Sequence, residues 1–125
     1  MTYTKEQLIA FEDKITDLFN QGKIRSPVHL SGGDEKELIK IFEKIKPNDI
    51  VYSNYRSHYH ALLHGVDEKW LFQWIMDNKS IHVHHKNPDL LSSAIVGGCL
   101  PIALGTALAL KLKYEEEQKN EKRNI

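Results

Sequence analysis

Apolar side chains recur every three or four positions in three separate stretches of this chain, and that period is its first legible feature. Leu8, Phe11, Ile15, Leu18 and Phe19 form one stripe, the spacing of a helix with one face turned to a core. The same reading leaves Glu12, Asp13 and Lys14 largely on the solvent side. Thr4 followed by Gln7 predicts a capping box at the helix start, and Gly22 supplies a stop. A second stripe of Leu38, Ile41, Phe42 and Ile45 follows an acidic turn from Asp34. Lysines 40, 44 and 46 and then Pro47 come late, an order that compensates the dipole of a second helix. A third helix is predicted from about Asp67 to Asp77, with Trp70, Leu71, Trp74 and Ile75 inward.

Between these stretches the period breaks. Ile24 to Gly33 carries Pro27, Gly32 and Gly33 and reads as an ordered loop, with His29 inside it. Ile50-Val51-Tyr52-Ser53 is the one β-type run, bounded by Asn48-Asp49 and Asn54. A histidine-rich segment ending at Gly65 follows, and Asn78 to Asp89 reads as a polar loop. Near Pro101 a small-residue helix begins, since the fixed φ of proline suits a first turn. Its Ala103, Gly105, Ala107 and Ala109 would let other backbone come close, so this helix is expected to be buried. Beyond Tyr114 the run EEEQKNEKRNI has no apolar period. The expected organisation is therefore one unit over residues 1–114 and a charged tail over 115–125. Its class is α/β, mostly helical, with a single strand that cannot by itself make a sheet.

Composition narrows the partners. The chain has 125 residues, 41% apolar and 27% charged, an ordinary soluble balance. Seventeen basic residues face seventeen acidic ones, so no net field draws it onto nucleic acid or an anionic membrane. One cysteine, Cys99, lies in an apolar run, which suits a packing role in a reducing cytoplasm. The start, Met1 to Glu6, lacks the apolar core of a secretory signal. Leu90 to Leu110 holds no charge and approaches the ~20 residues of a membrane span. Ser92, Ser93, Gly97, Gly98, Pro101, Gly105 and Thr106 dilute it, and no aromatic belt flanks it, so an anchor is not expected.

Candidate chemistry centres on histidine and one arginine. Six of the seven histidines fall in two groups: His58, His60 and His64, then His82, His84 and His85. Zinc needs three or four converging ligands, and His60 and His64 at helical spacing could give two. Neither a Cys pair nor an intervening helix-borne Glu supports that site, and polar loop histidines explain the clusters as simply. A second constellation is Tyr55-Arg56-Ser57-His58, directly after the strand, where ligands bind in α/β proteins. An arginine fork there matches phosphate oxygens and Tyr55 adds a hydroxyl. A structural arginine would instead pair with a nearby carboxylate. Spacing alone leaves both readings open.

Order along the chain adds a further observation. Gly22-Lys23-Ile24-Arg25 leads to Val28-His29-Leu30 and Gly33. Lys46-Pro47-Asn48-Asp49 leads to Tyr55-Arg56-Ser57-His58. Ser80-Ile81-His82 follows, then Ile95-Val96-Gly97-Gly98 with Pro101-Ile102-Ala103, Gly105, Ala107 and Ala109. Together, over about residues 5–113, these pieces resemble the alpha subunit of thiamine-diphosphate-dependent 2-oxoacid dehydrogenases, the pyruvate, acetoin and branched-chain group.

The resemblance implies an N-terminal piece of a thiamine-diphosphate-binding fold: helices, one strand and a buried small-residue helix, with the rest of a parallel sheet missing. It implies diphosphate contacts at Tyr55 and Arg56, backbone contacts to the aminopyrimidine around Ala94 and Val96, and His29 and His58 beside the reacting centre. The implied activity is oxidative decarboxylation of a 2-oxoacid, or a related acyl or aldehyde transfer. A beta subunit, in a heterotetramer, and a lipoyl acyltransferase are the implied partners. Ser26-Pro27 stand where the family usually has Gly-Phe, Ala94 where it has Gly, and Cys99 where it has Gln. The loop before Ile95 is also short, which puts acceptor specificity in question. The Gly-Asp-Gly segment and later Asn that hold Mg2+ in the family do not occur in these residues, so the chain alone is expected to be inactive. The alternative is a histidine-rich metal-binding or interaction module without catalysis.

Overall fold

A computed structural model describes residues 2–123. Five helices and three short strands alternate along them: α1 (Lys5–Asn20), α2 (Glu35–Phe42), β1 (Val51–Ser53), α3 (His58–His64), α4 (Glu68–Met76), β2 (His84–Lys86), β3 (Asp89–Ser92) and α5 (Cys99–Arg123). The α/β class, mostly helical, is that expected.

The start of α1 is a capping box: Thr4 accepts from the Gln7 N–H and Gln7 reaches back to the Thr4 N–H. Leu8, Phe11 and Ile15 are buried, but Phe19 is largely exposed. Glu12 is buried as well, which corrects its placement on the wet side. It stands four residues after Leu8 and three before Ile15, so a helical projection puts it inside the apolar stripe. The second stripe shifts similarly. Leu38 and Ile39 pack on the core while Ile41 points out, and α2 ends at Phe42 before the lysine-rich turn. Asp67 caps α4 by accepting from the Trp70 N–H. Leu71 and Ile75 face fully inward, and Trp70 and Trp74 stack on each other at the rim.

The expectation of a lone strand is overturned. The sheet has three strands in the order β1-β3-β2, with β1 parallel and β2 antiparallel to β3. Val51 pairs with Leu90 and Ser53 with Ser92 across the parallel edge. Part of the supposed polar loop therefore forms a hairpin. Its strands are only three and four residues long, too short to show a period of two in sequence, and pairing rather than propensity makes them. Ser92 helps fix it, its Oγ accepting from the Val83 N–H at 2.6 Å and from Ser57 at 3.2 Å.

The core lies between α1, α3, α4 and the sheet, with Leu8, Ile15, Tyr59, Leu62, Leu71, Ile75, Val83 and Leu90 at its centre. The predicted burial of the small-residue helix is not found. Among the residues of α5 whose burial is described, only Cys99 is buried, Ala103 and Thr106 are half-covered against β1, and Leu100, Leu104, Leu108, Leu110 and Leu112 stand exposed. Its main neighbour among the described residues is β1, with Tyr52 and Thr106 hydroxyls 2.5 Å apart, and its first residue, Cys99, reaches the Leu91 carbonyl of β3 at 3.7 Å. The helix crosses residue 114 unbroken and reaches Arg123; residues 124–125 of the expected tail lie outside the described part. No helix among the described residues is long and apolar enough to cross a membrane.

Candidate functional site

Because β1 and β3 are parallel, the segments leaving Ser53 and Ser92 emerge at the same edge of the sheet. That is where open α/β sheets place ligands. From β1 come Asn54, Tyr55 and Arg56; from β3 come Ser93 to Gly98.

Arg56 is exposed, and its backbone is set by a local turn in which Asn54 Oδ1 accepts the Arg56 N–H at 2.9 Å. Its guanidinium donates to the Leu30 carbonyl, and its own carbonyl accepts from Ser31 Oγ at 3.2 Å. The loop from Ile24 to Gly33 is thereby laid against the exit of β1. His29 arrives beside Tyr55, ring centroids 4.8 Å apart, and the Arg56 guanidinium carbon lies 5.8 Å from the Tyr55 centroid. No carboxylate among the described residues pairs with Arg56, the one ion-pair contact among them being His58 with Glu12. An arginine kept for structure alone would be expected to have such a partner. One guanidinium edge is spent on Leu30, and the rest of the fork remains free for an anion.

His58 sits elsewhere. It is fully buried, its Nε2 2.8 Å from Ser80 Oγ and its ring edge against Phe11. Burial pushes its pKa down to about 4, so the ring is neutral at pH 7. Its Nδ1 has no hydrogen-bond partner and stands 3.9 Å from Glu12 Oε1. The structure therefore brings His29, Tyr55 and Arg56 together and sets His58 behind them in the core.

Ala94 and Val96 are exposed, Val96 at 81%. They flank Ile95 and Gly97, which line a hollow of about 410 Å³ with Ser53, Asn54, His60 and Cys99. Neither His29, Tyr55 nor Arg56 lines it, so the two halves of the predicted site are neighbours through Asn54 and not one cavity.

The histidine clusters do not form a metal centre: among the described residues no three His, Cys, Asp or Glu side chains are grouped to hold an ion. His60 and His64 do share α3, but His60 Nδ1 meets Ser53 Oγ at 2.5 Å and both rings pack on Phe42. His85 bonds the Pro88 carbonyl, and the His82 carbonyl accepts from the Trp74 indole. Packing and loop hydrogen bonds account for these contacts.

Three further residues, Glu12, Glu35 and Ser31, build this corner and were not among those expected from the sequence. Glu12 accepts from the Ser31 N–H at 2.8 and 3.1 Å and from the Gly32 N–H at 3.3 Å. Glu35, also buried, accepts from the Gly33 N–H and from the Tyr59 hydroxyl at 3.1 Å. Ser31 ties the loop to Arg56. Burial raises the Glu12 pKa, opposed by the Ser31 and Gly32 N–H groups. Burial acts upward on Glu35 too, but there the N–H groups of Glu35 and Gly33, the Tyr59 hydroxyl and Lys5 outweigh it and leave the pKa lowered. For Glu12 the available signal was its place on the stripe between Leu8 and Ile15.

A small open sheet flanked by helices, with loops leaving the carboxyl ends of its parallel strand pair, defines the general class, an α/β protein. The family model described as "Dehydrogenase E1 component" matches residues 3–123, and the chain belongs to that family. It is 29% identical over 117 residues to the alpha subunit of acetoin:2,6-dichlorophenolindophenol oxidoreductase of Bacillus subtilis, covering 86% of this chain and 35% of that protein. To the chloroplastic pyruvate dehydrogenase E1 component subunit alpha-3 of Oryza sativa it is 30% identical over 115 residues, 84% of this chain and 27% of the relative. The corresponding alpha subunit of Rickettsia prowazekii is 31% identical over 114 residues, 83% and 34%. The chain thus spans about a third of the length of these curated relatives.

Proposed function

We propose that this chain contributes the diphosphate-gripping corner of a thiamine-diphosphate-dependent 2-oxoacid dehydrogenase alpha subunit. The observation that carries the reading is Arg56: exposed, without a carboxylate partner, and beside Tyr55 and His29 at the carboxyl end of a parallel strand. A planar fork with free donors beside a phenol suits a terminal phosphate.

The donor set fits the phosphate end of the cofactor. It does not fit the metal, since the described residues offer no grouped ligands and Mg2+ wants octahedral oxygen coordination. When bound, thiamine diphosphate supplies the carbon nucleophile for decarboxylating a 2-oxoacid. Arg56 would neutralise and orient phosphate oxygens, and Tyr55 would add a hydroxyl. His29, exposed at the same corner, is the residue able to exchange a proton with a bound molecule. His58, neutral and enclosed, would act through the Ser80 segment it holds. Backbone at Ala94 and Val96 would meet the rest of the ligand across the hollow.

Pairing with a beta subunit belongs to the same proposal: the relatives are alpha subunits by name, and α5 exposes leucines over much of its length. A lipoyl acyltransferase would be the next partner in transfer.

Titration of the 125-residue chain with thiamine diphosphate, thiamine and inorganic pyrophosphate tests the core of this reading. Both diphosphates should bind, weakly, and thiamine should not. Binding of thiamine alone, or of neither diphosphate, would sink it.

A further inference from the structure

The loop that carries His29 is held from behind by two carboxylates that no Lys or Arg of the described residues pairs with. Glu12, in the middle of α1, is 4% exposed and meets the N–H groups of Ser31 and Gly32; Glu35, at the start of α2, meets that of Gly33. Three consecutive backbone N–H groups are thus gathered on anions that the protein itself provides, as in the amide concavities that bind anions elsewhere. Lys5 eases the charge of Glu35 from a distance, but no cation does so for Glu12, and burying a carboxylate without one is costly. If the loop needed only to be tethered, a neutral acceptor would do it at smaller cost.

What the loop does with that anchorage is specific. Leu30 presents its carbonyl to the Arg56 guanidinium, Ser31 presents its hydroxyl to the Arg56 carbonyl, and His29 is laid against Tyr55. Glu12 fixes Ser31; Ser31 and Leu30 fix Arg56 at both ends. The groups facing Glu12 are His58 and Tyr59 from α3 and Asp34 before α2; the Tyr59 hydroxyl eases its charge, Asp34 opposes it, and no cation is among them.

We propose that Glu12, with Glu35 as its second, is a positioning residue that preorganises Arg56, Tyr55 and His29 for an anionic phosphate group through the 30–33 loop. The inference rests on the anion-binding reading above, and the experiment separates the two.

In the full 125-residue chain, Glu12→Gln keeps the volume and one acceptor while removing the charge. Amide hydrogen exchange at Ser31 and Gly32 should accelerate by about tenfold or more, the loss of a charge-assisted bond. Exchange at Leu71 and Ile75 should stay as in the parent, and the His29–Tyr55 ring contact seen by NMR should weaken. Inorganic pyrophosphate should bind about tenfold less tightly, and Glu12→Asp should recover part of that loss. Unchanged exchange at Ser31 and Gly32, or unchanged pyrophosphate affinity in a chain whose parent binds it, overturns the proposal. If the parent binds no pyrophosphate, the anion reading fails, while the exchange rates and the ring contact still decide whether Glu12 positions the loop. Should Glu12→Gln not fold, Ser31→Ala takes its place, since it cuts the hydroxyl bond to Arg56 and spares the buried carboxylate. Unaltered pyrophosphate affinity in that variant breaks the link from Glu12 to Arg56 and overturns the proposal.

Discussion

His58 Nδ1 and Glu12 Oε1 stand 3.9 Å apart in the core with no hydrogen bond between them. The pair is close enough to interact, with a neutral imidazole beside a buried carboxylate. Burial lowers the His58 pKa to about 4, below its ordinary value of 6.5, so the unfolded chain takes up a proton that the folded chain refuses.

Stability should therefore fall as pH drops from about 6.5 to about 4, by on the order of 3 kcal/mol at most, and level off below. Glu12 acts in the opposite sense. Its raised pKa means that the penalty for ionising it grows as pH rises through its folded value, and acid relieves it. Urea unfolding at several pH values checks the balance: His58→Gln should remove the acid fall that His58 contributes, and a variant with the same pH profile as the parent would count against a neutral buried His58.

Arg56→Lys keeps the charge and loses the fork. Pyrophosphate affinity should drop severalfold in Arg56→Lys and vanish in Arg56→Ala, with melting temperature nearly unchanged because the side chain is exposed. Calorimetric titration at two salt concentrations reads this directly. Equal affinity in Arg56→Ala would remove the arginine from the site.

Leu100 is 73% exposed, and Leu104, Leu108, Leu110 and Leu112 add to the same uncovered helix. A patch of this extent on an isolated chain promotes association. Sedimentation should show concentration-dependent self-association, reduced by Leu104→Glu with Leu108→Lys at a stability change within about 0.5 kcal/mol per site. A monodisperse monomer at high concentration would refute it.

Ser92→Ala should destabilise by about 1–3 kcal/mol. It leaves the Val83 N–H without its 2.6 Å acceptor inside the sheet. Chemical denaturation gives the figure, and a neutral result would mean that water replaces the hydroxyl.

The sequence by itself determined α1 and α4, because the α1 stripe, the Thr4 cap and the Asp67–Ile75 face are local signals within one or two turns, whereas α3 gave no such signal. It also determined the family, whose motifs are contiguous, and the placement of Tyr55-Arg56 at a strand's end. Only the tertiary structure decided the sheet, since β2 and β3 exist by pairing with each other and with a strand far off in the chain. It alone joined His29 to Tyr55, enclosed His58 and left α5 bare. Those outcomes depend on which residues meet across the core, and a spacing rule along one helix carries no information about the partner on another.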